Sequence, residues 1–112
     1  MKRKYRYILV MSLKPLNGVD ERDFYAELMR LIGELHFAEA NPKIARQISN
    51  RLFVLKISLS HYEEAIAALA LIKRISGIEN AFYTIYASGT LKAIEKYIKS
   101  TNMGSLIESN LN

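Results

Sequence analysis

The alternation of apolar and polar residues changes period several times along the chain, and each change marks an element. Tyr5 to Leu13 (YRYILVMSL) is β-branched, aromatic and free of glycine, which predicts a strand. It ends at a turn cluster, Lys14-Pro15-Leu16-Asn17-Gly18. Phe24, Leu28, Leu31, Ile32 and Leu35 then recur at helical spacing, with Asp20 as the expected N-cap. Glu21, Asp23 and Glu27 favour the N-terminal half of that helix through its dipole, and its end is expected between Leu35 and Ala40, ahead of Asn41-Pro42. Lys43 to Ser49 alternates and Leu52 to Leu59 is the most apolar run, so the short Asn50-Arg51 link between them predicts a hairpin. Ser60-His61-Tyr62-Glu63 fits a capping box ahead of an apolar face of Ala65, Ile66, Leu69 and Ile72. Lys73 and Arg74 are expected in the last turn of this second helix, with Gly77 as its stop. Asn80 to Ser88 reads as a fourth strand. A final helix from Leu91 to Lys99 sets Leu91, Ile94 and Ile98 against Lys92, Lys96 and Lys99, and a polar tail, residues 100–112, is expected to be loosely held.

The order β-α-β-β-α-β plus a terminal helix predicts one α+β domain over residues 1–99, ferredoxin-like (and so RRM-like), with an antiparallel four-stranded sheet. Right-handed crossovers place both internal helices on one face. The other face would then be polar, yet the first and third strands are apolar on both sides of their centres. Something has to cover the second face. Either the terminal helix does so with Leu91, Ile94, Tyr97 and Ile98, or a partner protein does, for which Ile8, Val10, Leu52, Val54 and Tyr83 are the candidate contacts.

Charge adds a second pattern. The net charge is +5 over 112 residues. Residues 1 to 19 carry five basic and no acidic side chains, residues 20 to 39 six acidic and two basic, and residues 40 to 60 four basic and none acidic. Segregated basic charge favours a polyanionic partner. There is no cysteine, which excludes disulfides and thiolate metal sites. No apolar signal segment follows Met1-Lys2-Arg3-Lys4, and Tyr7 to Leu13 is too short to span a bilayer. The expectation is a soluble, cytoplasmic protein with no membrane partner.

Candidate catalysis is sparse. His36 and His61 lie far apart without ligand-like spacing, and His61 is expected to face solvent in a first helical turn, so no metal site is expected. Asp20, Glu21 and Asp23 read as capping residues and lack the ligand periodicity of a calcium loop. No phosphate-binding glycine loop and no nucleophile elbow are present, and no catalytic residue is assigned. Arg51 to Ile57 does not carry the aromatic signature of RNA-recognition motifs, so RNA contacts would rest on cations and phosphate. The candidates are Lys2, Arg3, Lys4 and Arg6 at the N-terminus, Arg46, Arg51 and Lys56 on the hairpin, and Lys92, Lys96 and Lys99 on the last helix. Ser88 and Thr90 join them, because Ser88-Gly89-Thr90 opens that helix with free N–H groups and two hydroxyls; the plainer reading is Thr90 as a cap beside solvated lysines.

The chain resembles archaeal ribonuclease P protein component 2, the Pop-five family of subunits, over roughly Arg6 to Lys99. The resemblance is carried by Arg6-Tyr7-Ile8, by Gly33-Glu34-Leu35 with Ala38, Ala40 and Pro42, by Glu63-Glu64 with Ala68-Leu69, and above all by Ser88-Gly89-Thr90-Leu91 before a basic helix. It implies a noncatalytic subunit of the ribonucleoprotein that removes the 5′ leader of precursor tRNA, with catalysis by the RNA and its magnesium ions and no cofactor on this chain. It also implies a TIM-barrel-like protein partner (component 3) and a heterotetramer holding two copies of this subunit. Two other classes use such a fold. A ligand-sensing or dimerisation domain would bind small molecules at interface loops, for which only Asn17-Gly18 gives a hint. An acyl-phosphatase-like enzyme would need an arginine in the loop after the first strand, and Pro15-Leu16-Asn17-Gly18 has none.

Overall fold

The computed structural model describes residues 4–101; Lys2, Arg3 and the tail from residue 102 onward lie outside the described residues. The main sheet has the order β2-β3-β1-β6, all antiparallel, with β1 Tyr5–Ser12, β2 Lys43–Ser49, β3 Leu52–Ser58 and β6 Phe82–Ser88. Helices α1 (Gly18–Ile32), α2 (Glu34–Ala40) and α3 (Tyr62–Leu71) are on one face, and α4 (Leu91–Thr101) is on the other. This is the ferredoxin-like α+β plan with an added helix.

The register explains why the sheet is apolar on both sides. Ile8 pairs with Leu55 and Val10 with Phe53, and these side chains join Phe24, Leu28, Ala65 and Leu69 in the larger core. Phe24, Phe53 and Phe82 form its aromatic centre, with ring centroids 5.3 to 6.3 Å apart. Leu9 pairs with Val54 and Met11 with Leu52 on the opposite face, under Ile94, Leu91, Tyr97 and Ile98 of α4. Tyr97 lies parallel to Tyr86 of β6 at 4.2 Å. The second face is therefore covered by the chain's own terminal helix.

This corrects the partner contacts expected from the sequence. Ile8, Val10, Leu52 and Val54 are fully buried, so none meets a partner on this surface. Ile8 and Val10 also lie on the opposite side of the sheet from Leu52 and Val54. Strand alternation gives the two faces of each strand but not the phase between strands, which the β1–β3 register decides. Tyr83, on edge strand β6, remains 46% exposed.

Several boundaries also differ. The first helix is interrupted at Gly33, whose φ of 89° and ψ of 155° suit glycine alone, and α2 continues in a new direction. Asn17, not Asp20, is the N-cap of α1; the Asp20 carboxylate instead accepts the Asn17 N–H at 3.0 Å. The expected box at Ser60 does not form: a 3-10 turn, Leu59–His61, precedes α3, and Ser60 Oγ faces Ser58 Oγ at 3.0 Å. Helix α3 stops at Leu71, so Lys73 and Arg74 lie beyond it. Arg74–Ile75 (β4) and Ile78–Glu79 (β5) form a small hairpin whose turn residues Ser76 and Gly77 have φ of 55° and 77°. Ser76 Oγ lies 2.6 Å from a carboxylate oxygen of both Asp20 and Asp23 and shares its one proton between them, tying this hairpin to the start of α1. Buried Asn80 fixes the strand ends, accepting the Lys14 N–H at 2.9 Å and donating to the Lys14 carbonyl at 3.3 Å.

Candidate nucleic-acid interface

Folding separates charge by layer. Asp20, Glu21, Asp23, Glu27, Glu34, Glu39, Glu63 and Glu64 are on α1, α2 and α3, where only Arg22 and Arg30 are basic. Across the sheet, α4 presents exposed Lys92, Lys96 and Lys99 with Glu95 as its one acid. A polyanion is repelled by the first layer and attracted by the second.

Helix α4 covers Leu9, Leu52 and Val54, and at the end of the sheet where Tyr5, Tyr7, Lys56 and Ser88 lie those residues are half-buried. There the ladder aligns Lys43 of β2 with Lys56 of β3, Lys56 with Tyr7 of β1, and Tyr7 with Ser88 of β6. The four side chains form a row on the α4 side of the sheet, and Tyr5 stands next to it on the same side. Lys56 Nζ lies 4.1 Å from the centre of the Tyr5 ring and 6.0 Å from that of Tyr7. Such a lysine is held by both ring faces while its head stays partly accessible. The combination offers two cations for phosphate and two partly exposed phenol rings for bases or ribose.

The Ser88-Gly89-Thr90 turn closes this end. Thr90 Oγ1 accepts the Ala93 N–H at 3.2 Å, so Thr90 is the helix cap. Ser88 Oγ accepts the Thr90 N–H at 3.4 Å. Both oxygens thus serve the turn, while their O–H groups still have a proton to donate outward. The Arg6 guanidinium lies over the turn: a Cβ on Gly89 would sit 3.6 Å from Arg6 Nη1. The guanidinium carbon is 5.9 Å from the Tyr62 ring centre, which holds the side chain toward the turn.

The other sequence candidates scatter. Lys4 is exposed beside a groove of about 420 Å³ shared with Leu59 and with Glu39 of the helical layer. Arg46 is ion-paired with Glu95 of α4. Arg51 lies at the far end of the sheet, its Nε donating to the Ser12 carbonyl at 3.1 Å. Lys56, Ser88 and Thr90 therefore lie on the α4 side, and Lys92, Lys96 and Lys99 extend that surface along α4; Arg6 reaches the turn from the helical side of the sheet, Lys4 lies on that side beside Glu39, and Arg51 stands apart. Lys43, Tyr5 and Tyr7 were missed as site residues. The alternation of β1 does put Tyr5 and Tyr7 on one face, but aligning Lys43 with Lys56 requires the register of β2, which shifts between Ile44 and Arg46.

Residues 6–99 match the Rpp14/Pop5 family. The chain belongs to the Rpp14/Pop5 family. That makes it a subunit of the ribonuclease P/MRP class of ribonucleoprotein. The fold also matches a chain in a cryo-EM structure of yeast ribonuclease MRP, with a TM-score of 0.66 over 96% of this chain and 98% of that one. Identity is 6%, so this second likeness is one of fold. No curated protein matches in sequence. Within this Rpp14/Pop5 chain the Ser-Gly-Thr turn caps α4 and adjoins the Lys43–Ser88 row. Among the described residues no helix is long and apolar enough to cross a membrane.

Proposed function

We propose that this chain is a noncatalytic protein subunit of ribonuclease P that stabilises the catalytic RNA and assists removal of the 5′ leader from precursor tRNA. The observation that carries the reading is the Lys43–Lys56–Tyr7–Ser88 row at the half-buried end of the sheet, beside the basic face of α4 and with Arg6 reaching its closing turn. Backbone phosphate would lie on the lysines and Arg6, and exposed bases would stack on Tyr5 and Tyr7. In this reading magnesium and the hydrolytic chemistry belong to the RNA, and the particle works in the cytoplasm. The acidic helical layer turns away from RNA, and the exposed Tyr83 edge of β6 is open to protein. The protein partner of this reading is the TIM-barrel-like subunit, component 3, in an assembly holding two copies of this chain.

The test is reconstitution with ribonuclease P RNA and its partner proteins, followed by precursor-tRNA cleavage at low magnesium. Adding this chain raises cleavage, and Lys43→Ala with Lys56→Ala removes most of that gain. Equal cleavage with and without the chain overturns the proposal.

A further inference from the structure

The fold brings together two copies of one short pattern. His36-Phe37-Ala38-Glu39 is on α2, and His61-Tyr62-Glu63-Glu64 opens α3. A His-x-x-Glu spacing puts both side chains on one helical face. The two faces meet. His36 Nδ1 is 2.8 Å from Glu64 Oε2 and 3.1 Å from Oε1, and His61 Nδ1 is 3.2 Å from Glu64 Oε1. His61 Nε2 is 4.0 Å from Glu39 Oε2, and the two imidazole centres are 5.3 Å apart. One donor atom each from His36, His61 and Glu64 can be chosen so that all lie within 4.8 Å of one another. His61 is far from the solvent-facing residue expected from the sequence, since its side chain is 14% exposed, while His36 at 49% and Glu39 at 55% leave an open mouth.

We propose that His36, His61 and Glu64, with Glu39 or water as the fourth ligand, form a binding site for a divalent transition-metal ion, with zinc as the reference ion. Tetrahedral zinc with ligands at about 2.0–2.2 Å needs donor atoms about 3.3 Å apart, which side-chain rotation reaches from the present spacing. Two imidazoles select against magnesium and calcium, which take oxygen ligands, and so separate this site from the magnesium chemistry of an RNA. The ion would pin α2 to the start of α3 through three or four side chains and stiffen the joint after Gly33.

The experiment uses the full chain, freed of metal with a chelator, titrated calorimetrically with zinc chloride and separately with magnesium chloride. Expected are one zinc per chain in the micromolar range, a higher melting temperature with zinc, and no heat with magnesium. His36→Ala and Glu64→Gln, both at accessible positions, should each weaken zinc binding by about tenfold or more, because even residues behind metal ligands cost that much. Cobalt(II) should give visible absorption of a tetrahedral site, lost in His61→Asn. Millimolar or absent zinc binding overturns the site, and so does affinity unchanged in His36→Ala and Glu64→Gln. Because the readout needs no RNA, failure here leaves the ribonuclease P reading standing, and the reverse also holds.

Discussion

Ile94 decides whether α4 or a partner covers the second face of the sheet. It is fully buried against Leu9, Leu52 and Val54. Ile94→Ala removes three carbons, worth about 2.4 kcal/mol at ~0.8 kcal/mol per buried methylene. The cavity left behind adds to this, and Ile→Ala in a core costs about 2–5 kcal/mol. We expect about 3 kcal/mol. At about 2.1 cal/mol/K per residue, a 112-residue chain has an unfolding entropy near 0.24 kcal/mol/K, so the melting temperature falls by about 12 °C. The assay is urea unfolding followed by tyrosine fluorescence and circular dichroism, with Lys96→Ala as a surface control expected within about 0.5 kcal/mol of the parent. An unchanged m-value with a lower midpoint places the loss in the folded packing. A loss below about 1 kcal/mol would refute the reasoning: α4 would not be seated on Leu9, Leu52 and Val54 in solution, and the apolar face would be open to another protein.

Gly33→Ala should cost about 1–3 kcal/mol by thermal denaturation, purely through backbone strain, because no atom lies within 4 Å of the added methyl; a neutral result would mean the α1–α2 break is not held as described. Lys43→Ala with Lys56→Ala should lower the salt slope of RNA binding by about 1.4–1.8, from two lost phosphate contacts. A larger drop per lysine from changing Lys92, Lys96 and Lys99 to Ala would instead place the main RNA contact along α4. The Asn17 N–H, and after it the Ser76 hydroxyl, hold the Asp20 carboxyl below its ordinary value. A depressed folded-state value stabilises above the unfolded pKa and is lost as pH falls through the folded one. The stability difference between the parent and Asp20→Asn should therefore be constant at neutral pH and shrink in acid, starting near pH 4; a difference that grows in acid contradicts the assigned contacts.

The elements that could be read from the sequence were those fixed by local chemistry. β1, the β2–β3 hairpin and the amphipathic α4 follow from period and turn residues, and Thr90 caps as its position suggests. What escaped depended on contacts far apart in the chain. Gly33 within a helical pattern is tolerated or disruptive according to how the following turn packs. Ser76-Gly77 was legible as a hairpin turn but was read as a helix end, because the flanking strands are two residues each. The assignment of Ile8 and Val10 to a partner surface failed on the phase between strands. His36 and His61 have no ligand-like spacing in the sequence, and only the packing of α2 against the start of α3 brings them together. In the interface, the cations were legible as a population, but their order along one sheet row was not.

The position of β1 in the sheet has a consequence for how the chain is made. β1 is made before its neighbours β3 and β6, which end at Ser58 and Ser88. Until β3 has emerged, a strongly apolar strand has no hydrogen-bonding partner, and until β6 has emerged one of its edges stays unpaired. Long-range pairing of this kind slows folding and exposes the nascent chain to aggregation. The last strand of the sheet completes it and α4 then seals its second face, so every element through α4 is needed before the sheet is closed on both sides. Truncation before Leu91 would leave Leu9, Leu52 and Val54 uncovered, and such fragments should be cleared by proteolysis before they can enter a particle.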